Sequence, residues 1–129
     1  MGNEKRKISN TDLIKVFREK LEAREEIVFA TVFGSFLEGG GFHDVDIGIH
    51  VDRKTIKDII DASLYSEELS EELAGKIGVP VDIVILNFAP MWLVRRALNG
   101  ILLVDRDPVL RAALRLTAID NAYVASVRR

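Results

Sequence analysis

Eight consecutive residues, Val79-Pro80-Val81-Asp82-Ile83-Val84-Ile85-Leu86, are apolar except for one aspartate. A short run this rich in β-branched residues predicts a strand buried on both faces, which requires helices layered against a sheet. The aspartate narrows the choice further. A carboxylate taken out of water without a partner costs several kcal/mol, so Asp82 must be paired, metal-bound or at the exposed start of its strand.

The rest of the chain supplies the layers. Residues 11–24 read as a helix capped by Ser9, Asn10 or Thr11, with Leu13, Ile14, Phe17 and Leu21 on one face. Ile27 to Phe33 reads as a strand ended by Gly34-Ser35. A loop from Phe36 to His43 follows, with three consecutive glycines, Gly39 to Gly41, and then a second strand from Val45 to Val51. Residues 55–77 read as helical in two pieces, the first marked by Ile56, Ile59 and Ile60 and the second by Leu69, Leu73 and Ile77. After the Asp82 strand, Pro90 opens a helix through Asn99 that Gly100 stops. Ile101 to Val104 is a short strand, and Asp107-Pro108 caps a last helix running to about Val127. The order α-β-β-α-β-α-β-α predicts an α/β (α+β) fold: a small mixed sheet of about four strands with helices packed against it. Residues 1–129 are expected to form a single domain, since neither an internal repeat nor a long linker interrupts them.

The last helix carries two apolar stripes. Leu110, Leu114 and Ala118 lie on one side, and Leu116, Ile119, Tyr123 and Val127 on another. A surface helix needs only one. Either this helix is wedged in the core, or its second face meets another chain, for instance a second copy.

Composition removes several functional classes. The chain has no cysteine, so neither a disulfide framework nor a thiolate metal site is available. No apolar stretch approaches the roughly 20 residues that span a bilayer. The start, Met1-Gly2-Asn3-Glu4-Lys5-Arg6-Lys7, lacks the apolar segment of a secretory signal, and Gly2 with Ser9 misses the myristoylation spacing. A cytoplasmic location without membrane association is expected. The net charge of −2 conceals an imbalance: residues 1–90 carry 11 Lys/Arg against 17 Asp/Glu, residues 91–129 carry 7 Arg against 3 Asp. Arg95, Arg96, Arg106, Arg111 and Arg115 are either solvated helix charges or contacts for a triphosphate or an acidic partner. They form no continuous basic face for duplex DNA.

Three aspartates on two predicted strands carry the chemistry. Asp44 and Asp46 are two apart, so on a strand they point to the same side at a separation of roughly 6.6 Å. Such a pair either lies on a solvated face or holds a cation between its carboxylates; magnesium takes a few carboxylates plus phosphates and water. Asp82 decides between these if its strand neighbours the second one, because three carboxylates then meet on one patch. Two metal ions held there can activate a hydroxyl and stabilise a phosphoryl group with its leaving pyrophosphate, and Asp82 can take the hydroxyl proton. Gly34 lets amide N–H groups approach an anion, and Ser35 adds a hydroxyl. Gly-Ser also ends many strands for turn reasons alone, and neither a P-loop nor a Rossmann fingerprint is present. His43, His50, Tyr65 and Tyr123 receive no role, and Trp92 reads as core or interface.

Gly34-Ser35, then Asp44-Val45-Asp46, then a lone acidic residue in a later apolar strand, resembles the DNA polymerase β-like nucleotidyltransferase superfamily. The likeness spans roughly residues 27–105, and the short length and helical ending are similar to its minimal nucleotidyltransferases. The resemblance implies Gly34 and Ser35 for the nucleotide's phosphates, and Asp44, Asp46 and Asp82 as catalytic carboxylates binding two Mg2+ ions, with ATP as substrate. It also implies an MNT-type antitoxin whose partner is a helical HEPN-type toxin, and transfer of AMP from ATP to a tyrosine of that toxin. The alternative is a catalytically inactive antitoxin that neutralises its partner by occlusion.

Overall fold

The computed structural model describes residues 9–34 and 44–127, with side chains through Asp120. Its elements are α1 (Asn10–Glu22), β1 (Ile27–Phe33), β2 (Val45–Val51), α2 (Ile59–Ile77), β3 (Val81–Ile85), α3 (Met91–Leu98), β4 (Ile101–Asp105) and α4 (Pro108–Val127), with a 3-10 turn at Leu86–Phe88. The four strands form one mixed sheet in the order β3-β2-β1-β4. β1 runs antiparallel to β2 and β4, whereas β2 and β3 are parallel. A parallel pair needs a long crossover, and α2 supplies it.

Local chemistry sets the helix ends. Ser9 Oγ accepts from the Asp12 amide at 3.1 Å, Asp58 accepts from the Asp61 amide at 2.9 Å, and Asp107 accepts from the Leu110 amide at 3.0 Å. Each side chain satisfies an amide that the first helical turn leaves without a partner.

Strand alternation divides the core between two faces. Val45, Ile47, Ile49 and Val51 of β2 join Leu13, Phe17 and Leu21 of α1 and Leu69 and Leu73 of α2. On the other face Phe29 and Phe33 of β1 pack with Leu86 and with Val94, Ala97 and Leu98 of α3. α3 lies directly on the sheet, since a Cβ added at Gly48 would stand 2.9 Å from that of Ala97. The buried Thr31 hydroxyl donates to the Ala97 carbonyl at 2.7 Å and ties the end of α3 to β1.

Two sequence expectations need correction, and a third is narrowed. β3 is not covered on both faces: it is an edge strand, and Asp82 is exposed. Val81 and Ile85 pack with α1 and α2 while Val84 leans towards α3, so the run is apolar on both sides without being enclosed. Residues 55–77 do not form two helical pieces. One helix begins at Ile59 because Asp58 caps it; Ile56 is buried ahead of it, and Ile59 and Ile60 face solvent. Trp92, read as core or interface, is 66% exposed and so outside the core.

For α4, Ala118 is buried and Leu114 packs against the α3 cluster, but Val109, Leu116 and Ile119 are exposed. Over the described side chains the helix is therefore not wedged in the core, and its second stripe is open. No helix among the described residues is long and apolar enough to cross a membrane.

His50 stacks on Phe29 with ring centroids 5.1 Å apart and planes 7° apart, and its Nε2 lies 3.4 Å from Asn87 Nδ2. Burial holds its pKa below the ordinary 6.5, with Asp107 opposing in part. A histidine with a depressed folded pKa stays neutral in the fold while the unfolded chain takes up a proton. Its contribution is therefore intact above pH 6.5 and is lost as pH falls from there towards the folded value. His50→Leu is expected to flatten that part of a melting-temperature profile. Identical slopes for variant and wild type below pH 6.5 would contradict this assignment.

Candidate functional site

The sheet brings Asp46 and Asp82 together. They are register partners on β2 and β3, and a parallel ladder points such partners to one side of the sheet. On that side Gly48 and His50 follow Asp46 along β2, with α3 over Gly48, so the aspartates occupy the corner that α3 leaves uncovered. Asp44 lies one residue ahead of β2 rather than on it, and the next amide, of Val45, donates to Pro80 O at 3.0 Å. The entrance to β2 is thereby fastened to the entrance to β3.

Gly34 closes the corner from β1. Phe33, the last residue of β1, is the register partner of Asp46. Gly34 follows at φ +82°, in the left-handed region that favours glycine. A Cβ there would overlap Asp46 Oδ2 and lie 3.2 Å from Asp46 Cγ. Glycine therefore serves two purposes at once: it turns the chain and leaves space for the carboxylate. Ser35 and His43 lie outside the described residues.

The electrostatics follow from this crowding. Burial, then repulsion from Asp82 and from Asp44, hold the Asp46 carboxyl above its ordinary pKa, and the Arg96 guanidinium pulls it back in part. Asp44 and Asp46 are half-buried and Asp82 is open to solvent. Among the described residues, no three acidic or histidine side chains already surround a point where an ion could sit. The donor set nevertheless fits a hard cation: it is all carboxylate oxygen, and its like charges act on one another.

The fold also sorts the five arginines. Arg106 donates to the carbonyls of Ile27 at 2.6 Å, Arg24 at 3.2 Å and Glu22. Arg111 pairs with Asp105 at 2.9 Å, and Arg115 donates to Leu98 O at 3.0 Å at the end of α3. These three hold the fold together. Arg95 and Arg96 are exposed, and Arg96 is the arginine that acts on Asp46. Sequence reading missed two things here, the Gly34–Asp46 contact and the separation of Arg96 from the others. The first arises from pairing across strands; the second shows in sequence only once Ala97 is known to face the sheet. Tyr65 is committed elsewhere. Its hydroxyl donates to Glu26 at 2.7 Å, and burial followed by that bond pushes its pKa well above the ordinary value.

Set against known proteins, residues 6–109 match the family described as polymerase beta, nucleotidyltransferase. No curated protein matches the sequence. Solved structures share the fold. A toxin–antitoxin MntA–HepT crystal structure is 17% identical with a TM-score of 0.66, covering 94% of this chain and 92% of that one. A toxin–antitoxin crystal structure with AMP-PNP is 20% identical with a TM-score of 0.68, covering 95% and 93%. A tri-AMPylated Shewanella oneidensis HEPN toxin in complex with MNT antitoxin contains a chain that is 18% identical with a TM-score of 0.65, covering 90% and 92%.

Proposed function

The chain belongs to the polymerase beta nucleotidyltransferase family, and from that premise we propose that it moves AMP from ATP to a hydroxyl, the acceptor being a tyrosine of a HEPN-type toxin that it thereby silences. The observation that carries this reading is the register pairing of Asp46 with Asp82, with Asp44 at the entrance to β2 and Gly34 against Asp46. The similar structures support the choice of nucleotide and partner, because one contains AMP-PNP and another an AMPylated HEPN toxin. On this reading residues 1–129 act as one nucleotidyltransferase domain in the cytoplasm.

Each residue then has a task. Gly34, with Ser35 beyond it, offers amide and hydroxyl donors to the phosphates. Asp44, Asp46 and Asp82 would hold magnesium, which when bound activates the attacking hydroxyl and offsets charge on the phosphoryl group and pyrophosphate. Asp82, the exposed carboxylate of the three, is open to an incoming hydroxyl and can accept its proton. A cation would relieve the like-charge crowding on the half-buried Asp46.

A second reading, silencing by occlusion without catalysis, draws on the open stripe of Val109, Leu116 and Ile119 on α4. That stripe would seat the toxin or a second copy. Co-expression with the toxin separates the two readings. Enzymatic silencing requires that the Asp44→Asn/Asp46→Asn variant still bind the toxin yet fail to restore growth. Undiminished rescue by that variant would favour occlusion.

A further inference from the structure

Arg95 and Arg96 stand in the last turn of α3, exposed and without an ion pair among the described residues. They leave the helix on different sides. Consecutive helical residues are about 100° apart, so Arg96 flanks Ala97 while Arg95 is about 200° from it. Ala97 is the residue set over Gly48, two positions along β2 from Asp46. Leu98, on the other side of Ala97, packs with Phe29 and Phe33 of β1. Arg96 therefore emerges on the flank above β2 and β3, where Asp46 and Asp82 are paired. The chain leaving this end of α3 reaches the same corner, for a Cβ at Gly100 would stand 2.9 Å from that of Phe33. The guanidinium is near enough to act on Asp46 yet forms no ion pair with it.

We propose that Arg96 binds a phosphate oxygen of the nucleoside triphosphate at the three-aspartate corner. The inference rests on the nucleotidyltransferase reading and names a contact for its substrate. A triphosphate approaching three carboxylates meets repulsion, and a free cation beside them offsets part of it. The planar fork of arginine also matches two phosphate oxygens at once, a geometry that lysine lacks. Thr31 fixes the carbonyl of the next residue, so the helix turn that carries Arg96 is held in place.

Equilibrium binding of ATP with Mg2+ to the full-length protein tests this, using Arg96→Ala, Arg96→Lys and Arg95→Ala. Arg96→Ala should weaken ATP binding by about 10-fold or more, the usual scale for losing a charged hydrogen bond. Arg96→Lys should recover part of the loss, Arg95→Ala should match wild type, and melting temperatures should not change. Adenosine binding should be the same in Arg96→Ala and wild type. Wild-type ATP affinity in Arg96→Ala, or equal losses for ATP and adenosine, would overturn the assignment and leave the parent reading standing. A wild-type protein that binds no nucleoside triphosphate would overturn both.

Discussion

Asp46→Asn and Asp82→Asn are each expected to cut AMP transfer by about 10²–10³-fold, the range found when one preorganised electrostatic contact is removed from a catalytic centre. Asparagine keeps the shape of the side chain and removes the charge, so packing against Gly34 and the β2–β3 ladder should survive. Asp46→Asn carries a further signature. A carboxyl whose folded pKa is raised destabilises the fold once ionised, so stability falls as pH rises from 3.8 through the raised value. Neutralising it should leave the metal-free melting temperature unchanged or higher at neutral pH. Loss of activity with a lowered melting temperature would instead point to a structural role. Near wild-type transfer in both variants would remove these carboxylates from the reaction.

The second large effect concerns a residue with no side chain. Gly34→Ala should lower both stability and activity, for separate reasons. The left-handed backbone costs an L-residue about 1–2 kcal/mol, and the new methyl group displaces the Asp46 carboxylate it would overlap. Transfer should fall by about 100-fold, since an ångström of misplacement in a catalytic centre has that scale. A double variant separates the two causes. Adding Asp46→Ala removes the collision, so the melting temperature should recover in part while activity stays lost, with a coupling of about 0.5–3 kcal/mol. Additive destabilisation would mean that the backbone angle alone accounts for the effect.

Much of the corner was legible in the sequence because its signals are local. The two-residue spacing of Asp44 and Asp46, and one carboxylate in the Val79–Leu86 run, survive without any alignment. The adjacency of β2 and β3 was a condition rather than a reading, since α2 intervenes and parallel pairing leaves no local mark. The exposed face of β3 is not legible, because an apolar run of that length reads as a strand covered on both faces. The start of α2 was misplaced for a similar reason: Ile56, Ile59 and Ile60 look like one apolar face, yet the Asp58 cap puts Ile56 outside the helix. The arginines were inseparable as sequence. Arg106, Arg111 and Arg115 are bound to carbonyls or to Asp105 only because α4 folds back onto α3 and α1 ends beside β4.

The protein is incubated with ATP labelled at the α-phosphate, Mg2+ and the HEPN-type toxin, beside the Asp44→Asn/Asp46→Asn variant and a parallel reaction with γ-labelled ATP. Label is expected on the toxin from α-labelled ATP alone, abolished by the variant and by chelating the metal. A tight, unlabelled complex in every reaction, with the toxin silenced, would contradict AMP transfer and leave a binding protein on a nucleotidyltransferase fold.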